Sequence, residues 1–438
     1  RIAGDRGDDT TGHGRAAFFL KGKVRGDVLL TMAYDSDKDK NARLFRDIHP
    51  DDYYPVYGDA SAKGFDAQTS KKFYVRLDKD RSFVMYGDLK THIDNNDGLS
   101  LGQYDRTLTG IKSHYENDTT KVTAFVAQTR SSQRVNETRG LGISGPYPVG
   151  GNFDDILLNT ETVEVIVRDR NNPGTILSRT PLNRYSDYNL DSVSRALYLR
   201  APIASTDLGG NPIYLRVTVE AEEAGDEYTV GGVAVNRQLT PKINVGASYA
   251  QSDDPTNNEK LTGANTVVKF NERTKLIAEV AHYDSDKLND QIANQINASE
   301  LQGKTAGDAV RAELSYKDKT RDGKLYYTQA DIGFTSPSSS VTAGRTEAGL
   351  NLTNQINAKT KLKAEAVMSE DDTSNAERKG ATLSLERKLS DIFTAELGLR
   401  YYDNDYRASR NYQAVVSTDI YNQSLTPSVS NTDSHYQG

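Results

Sequence analysis

The chain contains no cysteine and no tryptophan in 438 residues. The missing thiols exclude disulfides, thiol nucleophiles, thiolate zinc sites and iron–sulfur clusters together. They also suit an oxidising envelope compartment. No apolar run approaches the ~18 residues that a transmembrane helix needs. Apolar residues are scarce overall, at 36%, and mean hydropathy is -0.67. A globular chain draws on ~45–50% apolar residues, and one of this length usually splits into two or three domains. A wall in which only every second residue is apolar accounts for the deficit. Net charge is -7 and no basic stripe stands out, so a nucleic-acid partner is not expected. What is abundant is tyrosine, with 25 copies against 11 of phenylalanine. Tyrosine suits strands that meet water or a membrane interface.

The strongest pattern is alternation with period two. Phe18, Leu20, Gly22 and Val24 share one face, and Lys21, Lys23 and Arg25 share the other. Ile243, Val245, Ala247 and Tyr249 alternate with Asn244, Gly246 and Ser248. Leu362, Ala364, Ala366 and Met368 alternate with Lys361, Lys363 and Glu365. Phe393, Ala395, Leu397 and Leu399 alternate with Thr394, Glu396, Gly398 and Arg400. These segments pair into hairpins at about 16–36, 72–90, 105–129, 227–251, 260–284, 308–334, 341–370 and 378–403. Many strands reach the ~9–11 residues that a tilted bilayer-spanning strand needs, beyond the ~5–6 of ordinary sheets.

Connections alternate in length. Arg25-Gly26-Asp27, Lys79-Asp80-Arg81, Leu239-Thr240-Pro241 and Asp322-Gly323 are short turns within pairs. Between pairs lie longer stretches at 37–71, 91–104, 130–226, 285–307 and 370–377, with 335–340 a short exception. An up-and-down barrel then carries its turns at one rim and its loops at the other. Tyr34-Asp35, Tyr283-Asp284 and Tyr402-Asp403 end several second strands with an aromatic and an acid, as an interfacial girdle would. Residues 411–420 read as one further strand, and the odd count without a terminal aromatic leads to the expectation that the chain stops before the true C-terminus or omits strands. No signal peptide stands at Arg1, as expected if secretion has removed it.

The expected fold is therefore all-β: a transmembrane antiparallel barrel of at least sixteen strands with an inserted β-sandwich or plug-like domain. The barrel occupies 1–129 and 227–438. The insert occupies 130–226, where strands shorten and turns gain Pro and Gly. A soluble solenoid or large sandwich is the competing reading. The charged inner face argues against a sandwich, whose inner faces must be apolar.

Two stretches carry a resemblance. Tyr53-Tyr54-Pro55-Val56-Tyr57-Gly58-Asp59, then Phe73–Leu77 and Met85-Tyr86-Gly87-Asp88, resemble a family of large Gram-negative outer-membrane barrel proteins. Within the insert, Gly142–Tyr147, Val167–Gly174, Asp187-Tyr188 and Asn211-Pro212-Ile213 resemble the same family. Asp187–Asp191 is also similar to the large translocon barrel of the gliding-motility secretion system. The resemblance spans roughly 16–220. It implies an outer-membrane location and a barrel, and no residue-level activity.

Candidate sites are few. Arg6-Gly7-Asp8 and Arg25-Gly26-Asp27 spell an integrin-type tripeptide, yet Gly and Asp at 26–27 are turn formers. Asp35, Asp37, Asp39 and Asn41, and Asp94, Asn95, Asp97 and Gly98, are acidic loops without a terminal bidentate Glu for calcium. His13, His49, His92, His114, His282 and His435 make no metal-ligand pair. Leu288, Ile292 and Ile296 have helical spacing within a loop. No catalytic, cofactor-binding or metal-binding residue is expected, and no enzyme activity. The expected lumen-facing residues are Lys21, Lys23, Arg76, Asp78, Lys361, Lys363, Glu365, Glu396 and Arg400, whose mixed sign predicts no strong ion selectivity.

The expected function is a conduit for solute or polymer across the Gram-negative outer membrane, gated or lined by the insert and long loops. The alternative is a surface anchor that displays the insert. The partners expected are the lipid bilayer with its lipopolysaccharide and an envelope or surface protein met through 130–226.

Overall fold

A computed structural model describes most of the chain between residues 16 and 429. Outside the described residues lie 1–15, 37–71, 92–98, 287–305 and 430–438, together with short stretches between 151 and 224 and single short gaps further on. The Tyr53–Asp59 motif, the first Arg-Gly-Asp, most of both acidic loops, His13, His49, His92, His435 and the helical spacing at 288–296 fall there.

Seventeen long strands form one antiparallel ladder. The first six are β1 (Ala17–Arg25), β2 (Val28–Asp35), β3 (Phe73–Lys79), β4 (Ser82–Lys90), β5 (Thr107–Glu116) and β6 (Thr120–Thr129). The chain then leaves the wall, and β14 (Tyr228–Thr240) pairs directly back onto β6. The wall continues through β15 (Ile243–Ser252), β16 (Glu259–Lys269), β17 (Thr274–Ser285), β18 (Ala306–Lys317) and β19 (Arg321–Ala330). It ends with β20 (Arg345–Asn357), β21 (Thr360–Asp371), β22 (Ala376–Lys388), β23 (Thr394–Tyr406) and β24 (Ser409–Ile420). Each long strand pairs with its neighbour in this order; among the described residues β1 is paired on one side only.

The turns explain the tight rim. Connections from β1 to β2, β3 to β4 and so on alternately along the wall span two to five residues. Gly26 and Asp80 adopt positive φ, the conformation a two-residue hairpin demands and that Gly and Asp tolerate best. Elsewhere on this rim an Asx side chain folds the turn. Asn117 Oδ1 accepts the Thr119 and Thr120 N–H groups at 3.0 and 2.7 Å. Asn271 does the same for Arg273 and Thr274, and Asp318 for Thr320 and Arg321.

The alternation sorts apolar side chains to the outside. Cross-strand register aligns Ile243, Val268, Leu276, Leu314, Leu325, Leu350, Ala366, Ala381 and Tyr401 in one row over β15–β23. Leu20, Met32, Val75, Tyr86, Ile111 and Val126 make the matching row over β1–β6. Many of these side chains are bare: Leu325 is 54% exposed and Ile111 is 48% exposed. So long an apolar girdle is untenable in water. It is what a membrane wall presents to lipid, and a strand ladder satisfies its own backbone there. The fold is an outer-membrane β-barrel.

Residues 131–222 build two further sheets. One holds β7 (Ser131–Arg139), β9 (Thr162–Arg168), β10 (Ile176–Leu182) and β13 (Ile213–Glu222). The other holds β8 (Tyr147–Pro148), β11 (Tyr188–Asp191) and β12 (Ala196–Leu199). Val163, Leu215, Val217 and Val219 of the first pack on Tyr147, Leu190, Leu197 and Leu199 of the second. This core belongs to the two sheets alone. The wall's own buried cluster, with Leu101, Tyr104, Phe125 and Tyr283, is separate.

One expectation needs adjusting. The β19–β20 connection runs from 331 to 344, longer than the 335–340 read from alternation. Phe334 and Val341 extend the alternating pattern, but they are loop residues that pack into the wall's buried cluster.

A candidate gate at the barrel mouth

Two connections at the long-loop rim turn inward. The first lies between β4 and β5. Thr91 closes its stem: its N–H donates to the Arg106 carbonyl and its Oγ1 to the Tyr104 carbonyl. From that stem the loop reaches β17. Ser100 and Leu101 N–H both donate to Glu279 Oε1, at 2.7 and 3.1 Å. Glu279 is 3% exposed, and Arg311 of β18 binds its other oxygen. β5 and β17 stand five strand spacings apart, about 24 Å along the wall at ~4.8 Å per spacing. Ser100 stands six residues before Arg106, a reach of at most ~21 Å fully extended. The loop spans that distance by crossing the inner face of the wall, where Gly102 meets Ser248 of β15 and Gly263 of β16.

The loop touches the wall closely. Ser248 Oγ donates to the Gly102 carbonyl at 2.9 Å. A Cβ on Gly263 of β16 would lie 2.8 Å from Gly102 Cα, so that approach requires glycine in the wall. Leu99 adds an apolar contact with Val267 and Ile277.

The second inward loop is 331–344. Phe334 packs edge-on against Tyr283 with ring centres 6.2 Å apart. Ser338 Oγ accepts the Asp105 N–H at 2.8 Å, which ties the two loops together.

The inserted sheets sit on both loops. On the four-stranded sheet the face away from the Val163–Leu215 core is polar. It carries Gln133, Glu137, Arg168, Arg179, Arg216 and Glu220. From this face Gln133 Nε2 donates to the Asp105 carbonyl at 2.6 Å. Arg179 Nη2 donates to the Ser339 carbonyl at 3.2 Å. Arg106, at the foot of β5, grips Glu220 with two bonds of 3.0 and 2.7 Å. The same guanidinium reaches the Ser131 carbonyl at 2.6 Å and Tyr228 Oη at 3.3 Å. Ser131 Oγ completes the cluster on Glu220 at 2.9 Å. Both charges are buried, so each depends on the other.

Within the insert, Glu137 accepts Arg168 at 3.0–3.1 Å and Arg216 at 2.6 Å. Burial alone would raise the Glu137 carboxyl, but Arg216 and Arg168 hold it below the ordinary carboxylate range. Burial, and then the Arg216 charge, lower the Arg179 guanidinium.

The nine residues expected to face the lumen stand on the face opposite the exposed apolar rows. They form local groups. Arg76 pairs with Asp78 at 2.7 Å and lies over the Phe83 ring. Lys363 bridges Glu386 at 2.6 Å and Glu396 at 3.3 Å, and Lys361 lies 3.5 Å from Glu386. Lys21 and Lys23 stand on β1, two strands from Arg76 and Asp78 and in register with them through Thr31 and Leu29. None of the nine belongs to the Glu279 latch or the Arg106–Glu220 bolt. Among the described residues no three His, Asp or Glu side chains converge as a cation site.

No protein-family model matches the chain, and no characterised sequence matches it either. Several solved structures align along most of its length. OccK10 (OpdN) of Pseudomonas aeruginosa aligns over 96% of this chain and 92% of its own, with 10% identity and a TM-score of 0.34. OccAB3 of Acinetobacter baumannii aligns over 89% and 86%, with 12% identity and a TM-score of 0.34. OpdK of Pseudomonas aeruginosa, solved with vanillate, aligns over 92% and 90%, with 9% identity and a TM-score of 0.35. Similarity at this level carries no argument. The barrel stands on its own ladder and on its two chemically opposite faces.

Proposed function

We propose that this protein is a solute channel of the outer membrane whose mouth is held shut by the 130–226 insert resting on two inward loops. The observation that carries the proposal is that one inward loop is bonded both to the insert and to a distant strand of the wall. Gln133 of the insert holds that loop at Asp105, Ser338 of the second loop holds it at the same residue, and its Ser100 N–H donates to Glu279 of β17. Each link is a bond that can break without disturbing the strand ladder, as a gate requires. A wall of seventeen strands encloses more space than its own side chains fill. In this reading Lys21, Lys23, Arg76, Asp78, Lys361, Lys363, Glu365, Glu396 and Arg400 line the wet passage beneath the gate.

The surface-anchor alternative requires the insert to project a free face to a partner. Its polar sheet face is instead engaged by barrel loops, which favours the channel. The test is planar-bilayer conductance of the whole chain and of a form lacking 135–222. Removal of the insert raises conductance steps if the proposal holds. A heat-modifiable gel shift confirms that the shortened wall still assembles. An assembled wall that stays silent without its insert contradicts the channel.

A further inference from the structure

Between the insert and the wall lies a cavity of about 110 Å³. One water needs only ~10–15 Å³ by the same measure, so the space holds several waters or one small solute. Ile176 and Leu177 of β10, with Val341 of the second inward loop, form its apolar side. The inner faces of β18, β19 and β20 form its polar side.

That polar side is charged, yet each of its cations is matched locally. Arg311 Nη1 binds Glu279 Oε2, while Arg311 Nη2 and Lys324 Nζ both bind Glu313 Oε2 at 2.8 Å. Arg345 Nε binds Glu347 Oε2 at 3.1 Å, and Tyr326 Oη donates to Glu347 Oε1 at 2.8 Å. A charged solute entering here gives up hydration and finds no unmatched counter-charge. A hydroxyl-bearing solute finds something different. Carboxylate oxygens accept, guanidinium and ammonium groups donate, and Tyr326 and Asn351 add groups that do both. Hydroxyl groups also both donate and accept. The apolar pair Ile176 and Leu177 suits the C–H face of such a ring.

We infer that this cavity is a binding step for a small uncharged polyhydroxyl solute of the sugar class. The inference rests on the channel reading and adds the substrate class to it. It places selectivity at the insert–wall junction, away from the lysine–glutamate groups of β21–β23.

The test is swelling of liposomes carrying the whole protein, with glucose, gluconate and glucosamine as solutes of matched size. Glucose enters fastest if the inference holds. Entry of none of the three, nor of glycerol, through the whole protein and through the form lacking 135–222 alike sinks the channel reading itself. Gluconate or glucosamine entering as fast as glucose overturns the sugar assignment alone. Two variants locate the effect. Glu347→Gln frees Arg345 from its partner and shifts preference toward gluconate. Tyr326→Phe keeps the ion pairs and lowers the glucose advantage by about fivefold, the equivalent of one hydrogen bond. Unchanged selectivity in Tyr326→Phe, with heat-modifiable mobility intact, overturns the placement.

Discussion

The wall and the insert are written in the same period-two alphabet and use it in opposite ways. In the wall, the apolar face of each strand points outward and stays bare, as at Leu325, Leu350 and Leu399. In the insert, the apolar face points at a second sheet and is sealed, as at Val163, Leu215 and Val217. The polar faces behave alike: both pair charges between neighbouring strands, and both bond to the inward loops. Alternation therefore identifies a strand but not the medium its apolar face meets. Strand length and the rhythm of connections supply that information.

This contrast predicts separable failures. The largest effect is expected at the bolt joining the two regions. Arg106→Ala strands the buried Glu220 carboxylate, and breaking such a pair costs about 3–5 kcal/mol. Limited proteolysis should then cut within 130–226 while the wall keeps its heat-modifiable mobility. Leu215→Ala removes a fully buried side chain from the insert core, for a loss of about 2–5 kcal/mol. Its damage should also stay within the insert. Leu350→Arg does the reverse. It places a charge near the middle of a lipid-facing strand, at about 2–4 kcal/mol. Assembly of the wall, read by gel mobility after folding into lipid, should fall. Equal damage to both regions from any one of these changes would break the distinction.

Acid should act on the insert first. The folded Glu137 carboxyl sits below its unfolded value, so its contribution is complete above the ordinary carboxylate range. That contribution disappears as pH falls through the depressed folded value. Protease sensitivity of 130–226 should rise below about pH 4 and rise less in Glu137→Gln. The smallest effect is expected from Lys363→Ala. It leaves a half-exposed cluster and should change wall stability by no more than about 1 kcal/mol.

Much of the wall was legible in the sequence because a barrel strand carries its own signal. Leu362, Ala364 and Ala366 against Lys361, Lys363 and Glu365 suffice to place β21 and both its faces. Gly26, Asp80, Asn117 and Asn271 mark turns by their own chemistry. The gate was not legible. Glu279 is one carboxylate among many inward residues, and its partners Ser100 and Leu101 lie nearly 180 positions away. Arg106 and Glu220 are separated by 114 positions. Arg106 read as part of a strand beginning at 105, whereas β5 starts at Thr107 and the arginine belongs to the bolt. Phe334 misled for a related reason: a loop residue buried in a lumen satisfies the same apolar pattern as a strand residue. Long-range pairing of single side chains leaves no local trace.

The absence of native cysteine permits a direct test of the gate. Gln133 and Asp105 meet where the insert rests on the first inward loop. In an Asp105→Cys, Gln133→Cys double variant, a short bifunctional thiol cross-linker joins insert to loop at that point alone. Single-channel recordings before and after cross-linking measure whether the junction must part for current to flow. The gate account predicts that openings vanish when the junction is clamped and return when a cleavable linker is reduced. Openings of unchanged size and frequency in the fully cross-linked protein would contradict it.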